Sequence, residues 1–167
     1  TKSGKSTAGD TGDEVAIFRK HFESIDLKQS TFALRTTLGT GTFGRVRLVT
    51  YTMKDKPYYF ALKMLKKTEI IRLKQVEHIK AEKNILSMIS HPFCVNLYAS
   101  FKDECMLYML MEYVIGGELF SQLRKVGRFS NDTGRFYAAE IVLAFAYLHS
   151  KVLLLPTFFP DLKPETQ

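Results

Sequence analysis

Leu38-Gly39-Thr40-Gly41-Thr42-Phe43-Gly44-Arg45-Val46 decides how the rest of the chain is read. Its glycines follow the spacing G-x-G-x-x-G-x-V, which lets bare backbone amides approach a polyphosphate because no Cβ stands in the way. The same triplet serves dinucleotide-binding folds, but there the third glycine opens a helix. Here Arg45 to Tyr51 alternates polar and apolar residues with a period of two, the pattern of a strand, and Phe32 to Leu38 also suits one. The glycines are therefore expected to join two antiparallel strands.

A third strand is predicted over Tyr58 to Leu65, after the turn-like Lys54-Asp55-Lys56-Pro57. It carries Lys63, a charge among apolar neighbours that must find a partner or a route to water. From Val76 to Ile89, the residues Ile79, Glu82, Leu86 and Ile89 recur at spacings of three, four and three and so share one helical face. Glu82 thus falls on the apolar stripe, and Lys63 is the cation whose own context asks for an anion. Two alternatives stay open: Lys63 at a sheet edge with its head in solvent, and Glu82 paired with Lys80 or Lys83 on its own helix.

A glycine-loop hairpin, a strand with Ala61-Leu62-Lys63 and a helix glutamate together resemble the nucleotide-binding half of a eukaryotic protein kinase. Leu73-Lys74-Gln75-Val76-Glu77-His78, the run Leu107 to Glu118, Arg135 to Leu143 and Tyr147-Leu148-His149-Ser150 are similar to the AGC-type serine/threonine kinases of the cyclic-AMP-dependent kind. The resemblance spans about Phe18 to Ser150, with the motifs in the family's order. It implies an α+β, protein-kinase-like fold: residues 31–113 as a five-stranded N-lobe, 114–117 as a hinge broken by Gly116-Gly117, and 118–167 as part of a C-lobe. It also implies ATP and Mg2+ as cofactors. Around the nucleotide it would place Leu38, Gly39, Thr40, Gly41, Thr42, Phe43, Gly44, Val46, Ala61, Lys63, Met111, Glu112, Val114 and Glu118. The amides of Gly39, Gly41 and Gly44 would lie on the phosphates, with Lys63, held by Glu82, on the α/β-phosphates. The backbone of Glu112 and Val114 would bond the base, with Met111 behind it and Val46 and Ala61 on its face. Glu118 and Glu165 match positions that receive basic side chains of a peptide substrate. A cyclic-AMP-binding regulatory subunit is an implied partner.

Composition narrows the alternatives. A 46% hydrophobic and 25% charged content suits a globular chain. The net charge of +7 could suit nucleic acid, but the basic residues lie among acids with no arginine-rich block. Cys94 and Cys105 have no metal or redox spacing, so no metal site is expected of them, and a reducing, cytoplasmic or nuclear setting is. No stretch is long enough for a membrane span, and no signal peptide is apparent. Residues 1–12 are expected to be a disordered tail; Gly4-Lys5-Ser6-Thr7 lacks the upstream glycine and strand of a phosphate loop. Residues 13–30 are read as a helix and linker, opened by a capping-box pattern over Thr11 to Glu14, with Phe18 and Phe22 on one face for docking. Helices are also expected over Glu118 to Lys125 and, capped by Ser130, to about Ser150; Phe136 to Leu148 is apolar nearly all round and expects burial.

The C-terminal stretch departs from the family pattern. Lys151 to Pro160 is longer than the family's connection, and then comes Asp161-Leu162-Lys163-Pro164-Glu165-Thr166-Gln167. Asp161 aligns with the base for the substrate hydroxyl and Lys163 with the residue that steadies the transferred phosphate. Pro160 stands where the family has arginine, and Thr166 replaces a magnesium-binding asparagine, a poorer ligand for a hard cation. No Asp-Phe-Gly follows in the sequence. Little turnover is expected of such a truncated form, with a catalytically dead nucleotide-binding module or an incomplete gene model as rival readings.

Overall fold

The computed structural model describes residues 11–153. Helix α1 (Thr11–Glu23) is followed by a short 3-10 turn, Gln29–Thr31, and by strands β1 (Ala33–Gly41), β2 (Gly44–Met53) and β3 (Lys56–Lys66). Two helices, α2 (Lys67–Arg72) and α3 (Val76–Met88), precede β4 (Leu97–Lys102) and β5 (Met106–Glu112). Helices α4 (Leu119–Val126) and α5 (Asn131–Leu153) complete the series. The described residues fall into two compact units that divide between Ile115 and Gly116.

In the first unit five antiparallel strands form one sheet in the order β1-β2-β3-β5-β4. β2 and β3 pair without a slip from Gly44↔Leu65 to Met53↔Lys56. The connecting Lys54 and Asp55 both take positive φ, 50° and 62°, as a tight primed turn needs to match strand twist. β3 therefore begins at Lys56, two residues before the expected start at Tyr58, and the turn is Lys54-Asp55 alone. β1 continues through Gly39 to Gly41, past its expected end at Leu38, and is bulged on either side of Thr37.

Side-chain alternation gives the sheet two different faces. Phe60 and Leu62 of β3, Val49 of β2, and Tyr108 and Leu110 of β5 point to one face, where Phe18 and Phe22 of α1 complete an aromatic core. Phe18 packs edge-on against Tyr58, Phe60 and Tyr98, and Phe22 against Tyr51 and Phe60. Leu65 and Met109 point to the opposite face and pack with Ile70 of α2, Ile79 of α3 and Leu97 of β4, with Leu86 and Met111 at the margin. Helix α2 escaped the sequence reading because six residues, four of them charged or hydroxylic, carry too short an apolar pattern to register. Of the two further strands that the run Cys94 to Phe101 and the run Met106 to Met111 suggest, β4 starts at Leu97 rather than Cys94: the Cys94 amide turns back to the His91 carbonyl, and Asn96 is held by Glu112.

In the second unit, Ser130 caps α5 by accepting a hydrogen bond from the Thr133 amide at 3.2 Å. Gly127, with φ of 74°, ends α4. The expected burial of α5 is not found among the described residues. Phe136, Val142 and Phe145 are each more than half exposed, because an all-round apolar helix needs cover on every side and no described element encloses this one.

Candidate nucleotide site

The glycine turn is the β1–β2 connection. Gly39 faces Val46, Thr40 faces Arg45 and Gly41 faces Gly44, so Thr42 and Phe43 form the tip. The three glycines are not equivalent. A Cβ on Gly44 would stand 1.9 Å from the Met64 carbonyl oxygen, so here the neighbouring strand itself excludes a side chain. At Gly39 and Gly41 a Cβ would meet nothing within 4 Å, and neither has a positive φ. Neither conformation nor packing among the described residues asks for glycine at those two positions. Phe43 at the tip is not free. It packs against the Leu65–Ile70 cluster, and its carbonyl accepts the Lys66 amide at 2.8 Å.

Lys63 lies on the central strand, with Val46 directly across on β2 and Met109 directly across on β5. It is therefore not at a sheet edge, and that alternative falls. By alternation and register Ala61, Val46 and Met111 share its face, Ala61 being paired to Met111. Lys63 Nζ donates to Glu82 Oε1 at 2.6 Å, with about a quarter of the lysine side chain and a third of the glutamate exposed. Lys80 is bonded instead to Glu77 at 2.8 Å, so the within-helix alternative for Glu82 falls in part through its partner being taken. A partly exposed pair of this kind contributes on the order of 1 kcal/mol to folding, so its value is geometric: it fixes an ammonium one strand away from the glycine turn. Ile79, on the same stripe of α3 as Glu82, is buried as the spacing predicted; Ile89 is buried too, but it lies just past the helix end in an extended conformation rather than on the helix.

At the C-terminal end of β5, the Glu112 carboxylate accepts hydrogen bonds from both the amide and the side-chain Nδ2 of Asn96, at 3.2 and 2.8 Å. The Glu112 amide in turn donates to the Asn96 carbonyl at 2.9 Å. Leu38 and Val114 are exposed, as are Thr40 and Thr42. Glu118 is the exposed residue preceding α4 and belongs to the second unit. Asp161, Lys163 and Glu165, with Pro160 and Thr166, lie outside the described residues. A cleft of about 400 Å³ borders the turn on the other face of the sheet, lined by Arg45, Arg47, Met64, Lys66 and Met106, and Lys63 takes no part in it.

Among the described residues no group of three or more His, Cys, Asp or Glu could hold a metal ion. No helix among them is long and apolar enough to cross a membrane. The residue that sequence reasoning missed is Arg19, whose guanidinium reaches two backbone carbonyls some seventy positions away. An arginine on a polar helix face gives no local signal for such a contact.

Residues 32–166 match the model of the protein kinase domain. The cAMP-dependent protein kinase catalytic subunit PRKX of Homo sapiens is 53% identical over 166 residues, covering 96% of this chain and 45% of that protein. The cAMP-dependent protein kinase catalytic subunit of Dictyostelium discoideum is 56% identical over 128 residues, 77% of this chain and 19% of that protein. cAMP-dependent protein kinase type 3 of Saccharomyces cerevisiae is 48% identical over 136 residues, 81% of this chain and 33% of that protein. The chain thus spans less than half the length of these relatives.

Proposed function

The chain belongs to the protein kinase family, of the AGC type, and from that premise we propose that its first unit seats ATP and that the protein is a serine/threonine kinase. The observation that carries the proposal is the 2.6 Å contact between Lys63 Nζ and Glu82 Oε1 on the face shared with Val46 and Ala61. An ammonium held by a carboxylate, one strand from open glycines, is suited to neutralise phosphate charge as it is displaced in transfer. In this reading Gly39, Gly41 and Gly44 present amides to the phosphates, Val46 and Ala61 pack on the face of the base with Met111 behind it, and the backbone of Glu112 and Val114 bonds its edge. Magnesium, when bound with the nucleotide, supplies charge neutralisation between the phosphates.

Asp161 is the proposed base for a Ser or Thr hydroxyl, with Lys163 beside the transferred group. Glu118 and Glu165 favour basic residues ahead of the target, and a cyclic-AMP-binding regulatory subunit is the proposed partner, in the cytoplasm or nucleus. Pro160 and Thr166 stand where the family motif has arginine and asparagine. For that reason we expect nucleotide binding to outlast transfer in these 167 residues, each 1.4 kcal/mol of lost transition-state stabilisation being roughly tenfold in rate. Titration with a fluorescent ATP analogue tests the first step: saturable binding is expected, weakened about tenfold or more by Lys63→Met with the melting temperature little changed. Equal affinity in parent and variant would overturn the proposal. Radiolabelled transfer to a basic peptide, lost in Asp161→Ala, tests the second.

A further inference from the structure

Glu82 is useful to Lys63 only while α3 stays where it is, and the last turn of α3 carries no cation of its own. Ile89, the residue that follows that turn, leaves the helix in an extended conformation, with φ of −82° and ψ of 134°. The C-terminal end of a helix carries unpaired carbonyls and a partial negative charge, which a nearby cation relieves. Arg19 of α1 supplies that cation. Its Nη2 donates to the Ile89 carbonyl at 2.9 Å, and its Nε donates to the Leu97 carbonyl, at the start of β4, at 2.8 Å.

The two bonds tie together elements from opposite faces of the sheet. α1 lies on the aromatic face, anchored by the buried Phe18 and Phe22, and α3 packs on the other; β4, the edge strand, lies between them. Arg19 spans that edge. The connection it grips, residues 89 to 97, is held at its far end by the Asn96–Glu112 bonds, so it is fixed from both sides. Glu82 stands seven residues, about two helical turns, before Ile89. α1 also lies outside the 32–166 region that matches the kinase domain, so this clamp is an addition to the matched domain.

We infer that Arg19 is a positioning residue: α1 docks on the outer face of the sheet and, through the Arg19 guanidinium, holds the end of α3 so that Glu82 meets Lys63. α1 is then a control element for nucleotide binding, since whatever lifts it off the sheet releases the α3 end. The inference rests on the proposed nucleotide site.

The test is a double-mutant cycle on Arg19→Gln and Glu82→Gln, read by affinity for a fluorescent ATP analogue, with amide hydrogen exchange of the unliganded protein as a second readout. Arg19→Gln is expected to weaken binding about three- to tenfold in the parent and to have almost no further effect once Glu82 is replaced, because it acts through that carboxylate. Exchange should quicken across the last turn of α3 and residues 89 to 97 and stay unchanged in the β2–β3 hairpin. Arg19→Lys, which keeps the charge but can reach one carbonyl fewer, should fall between. Additive effects in the cycle, or exchange in α3 unaltered by Arg19→Gln, would overturn the inference. Absence of nucleotide binding in the parent would instead sink the proposed site, while the exchange readout would still judge the clamp.

Discussion

At Gly44 the strand alongside leaves no room for a β-carbon, whereas Gly39 and Gly41 face open space. Gly44→Ala should therefore lower stability by about 1–3 kcal/mol, the usual range for overpacking against a backbone that cannot move away. Gly39→Ala and Gly41→Ala should leave the melting temperature almost unchanged while weakening ATP; thermal melts and nucleotide titrations on the three variants separate the two roles. Asp103 makes a pH-dependent contribution of a different kind. Its carboxylate accepts the Tyr108 hydroxyl at 2.7 Å and the Met106 and Cys105 amides at 2.7 and 2.8 Å. The Tyr108 bond first, then the two amides, hold its carboxyl below the ordinary range, while burial first and Asp103 second push the Tyr108 hydroxyl up to about 12. A lowered carboxyl pKa means stability that is complete above the ordinary carboxylate range and lost as pH falls through the folded value. Asp103→Asn should thus melt below the parent at neutral pH and converge with it in acid; a gap that stays constant from pH 7 to 3 would contradict this. Of these residues, the glycines and Lys63 were legible in the sequence because their spacing is local. Arg19 and the Asn96–Glu112 bonds were not, because their partners are set by tertiary contacts that no window of sequence contains.

Elements show the same division. The three strands around the glycine turn and α3 were readable, since each carries a clear period of two or of 3.6. Their ends were not: β1 runs on through its glycines and β4 starts late, because pairing with a neighbour, rather than propensity, decides where a strand stops. α1 was legible as a helix with two phenylalanines in search of a surface, and the structure provides the surface as the rings of Tyr51, Tyr58, Phe60 and Tyr98. Phe22 is only 2% exposed. Phe22→Ala should cost about 3–5 kcal/mol in denaturant unfolding, as for other large-to-small changes in a packed core. A loss under about 1 kcal/mol would mean that α1 sits on the sheet without being part of its core.

On the scale of the whole molecule, the first unit has two packed clusters, one on each face of its sheet, and the second has two helices whose apolar residues are largely exposed. Composition could not foretell that contrast, because apolar content is much the same whether or not a covering element exists. The position of β3 has a further consequence. As the middle strand it is stitched to β2 on one side and to β5 on the other, and β5 arrives only after some forty residues of intervening chain. During refolding the early hairpin can close by itself, but Lys63 has no defined surroundings until the latecomer zips alongside. The proposed triphosphate seat should accordingly be among the last features of this unit to form.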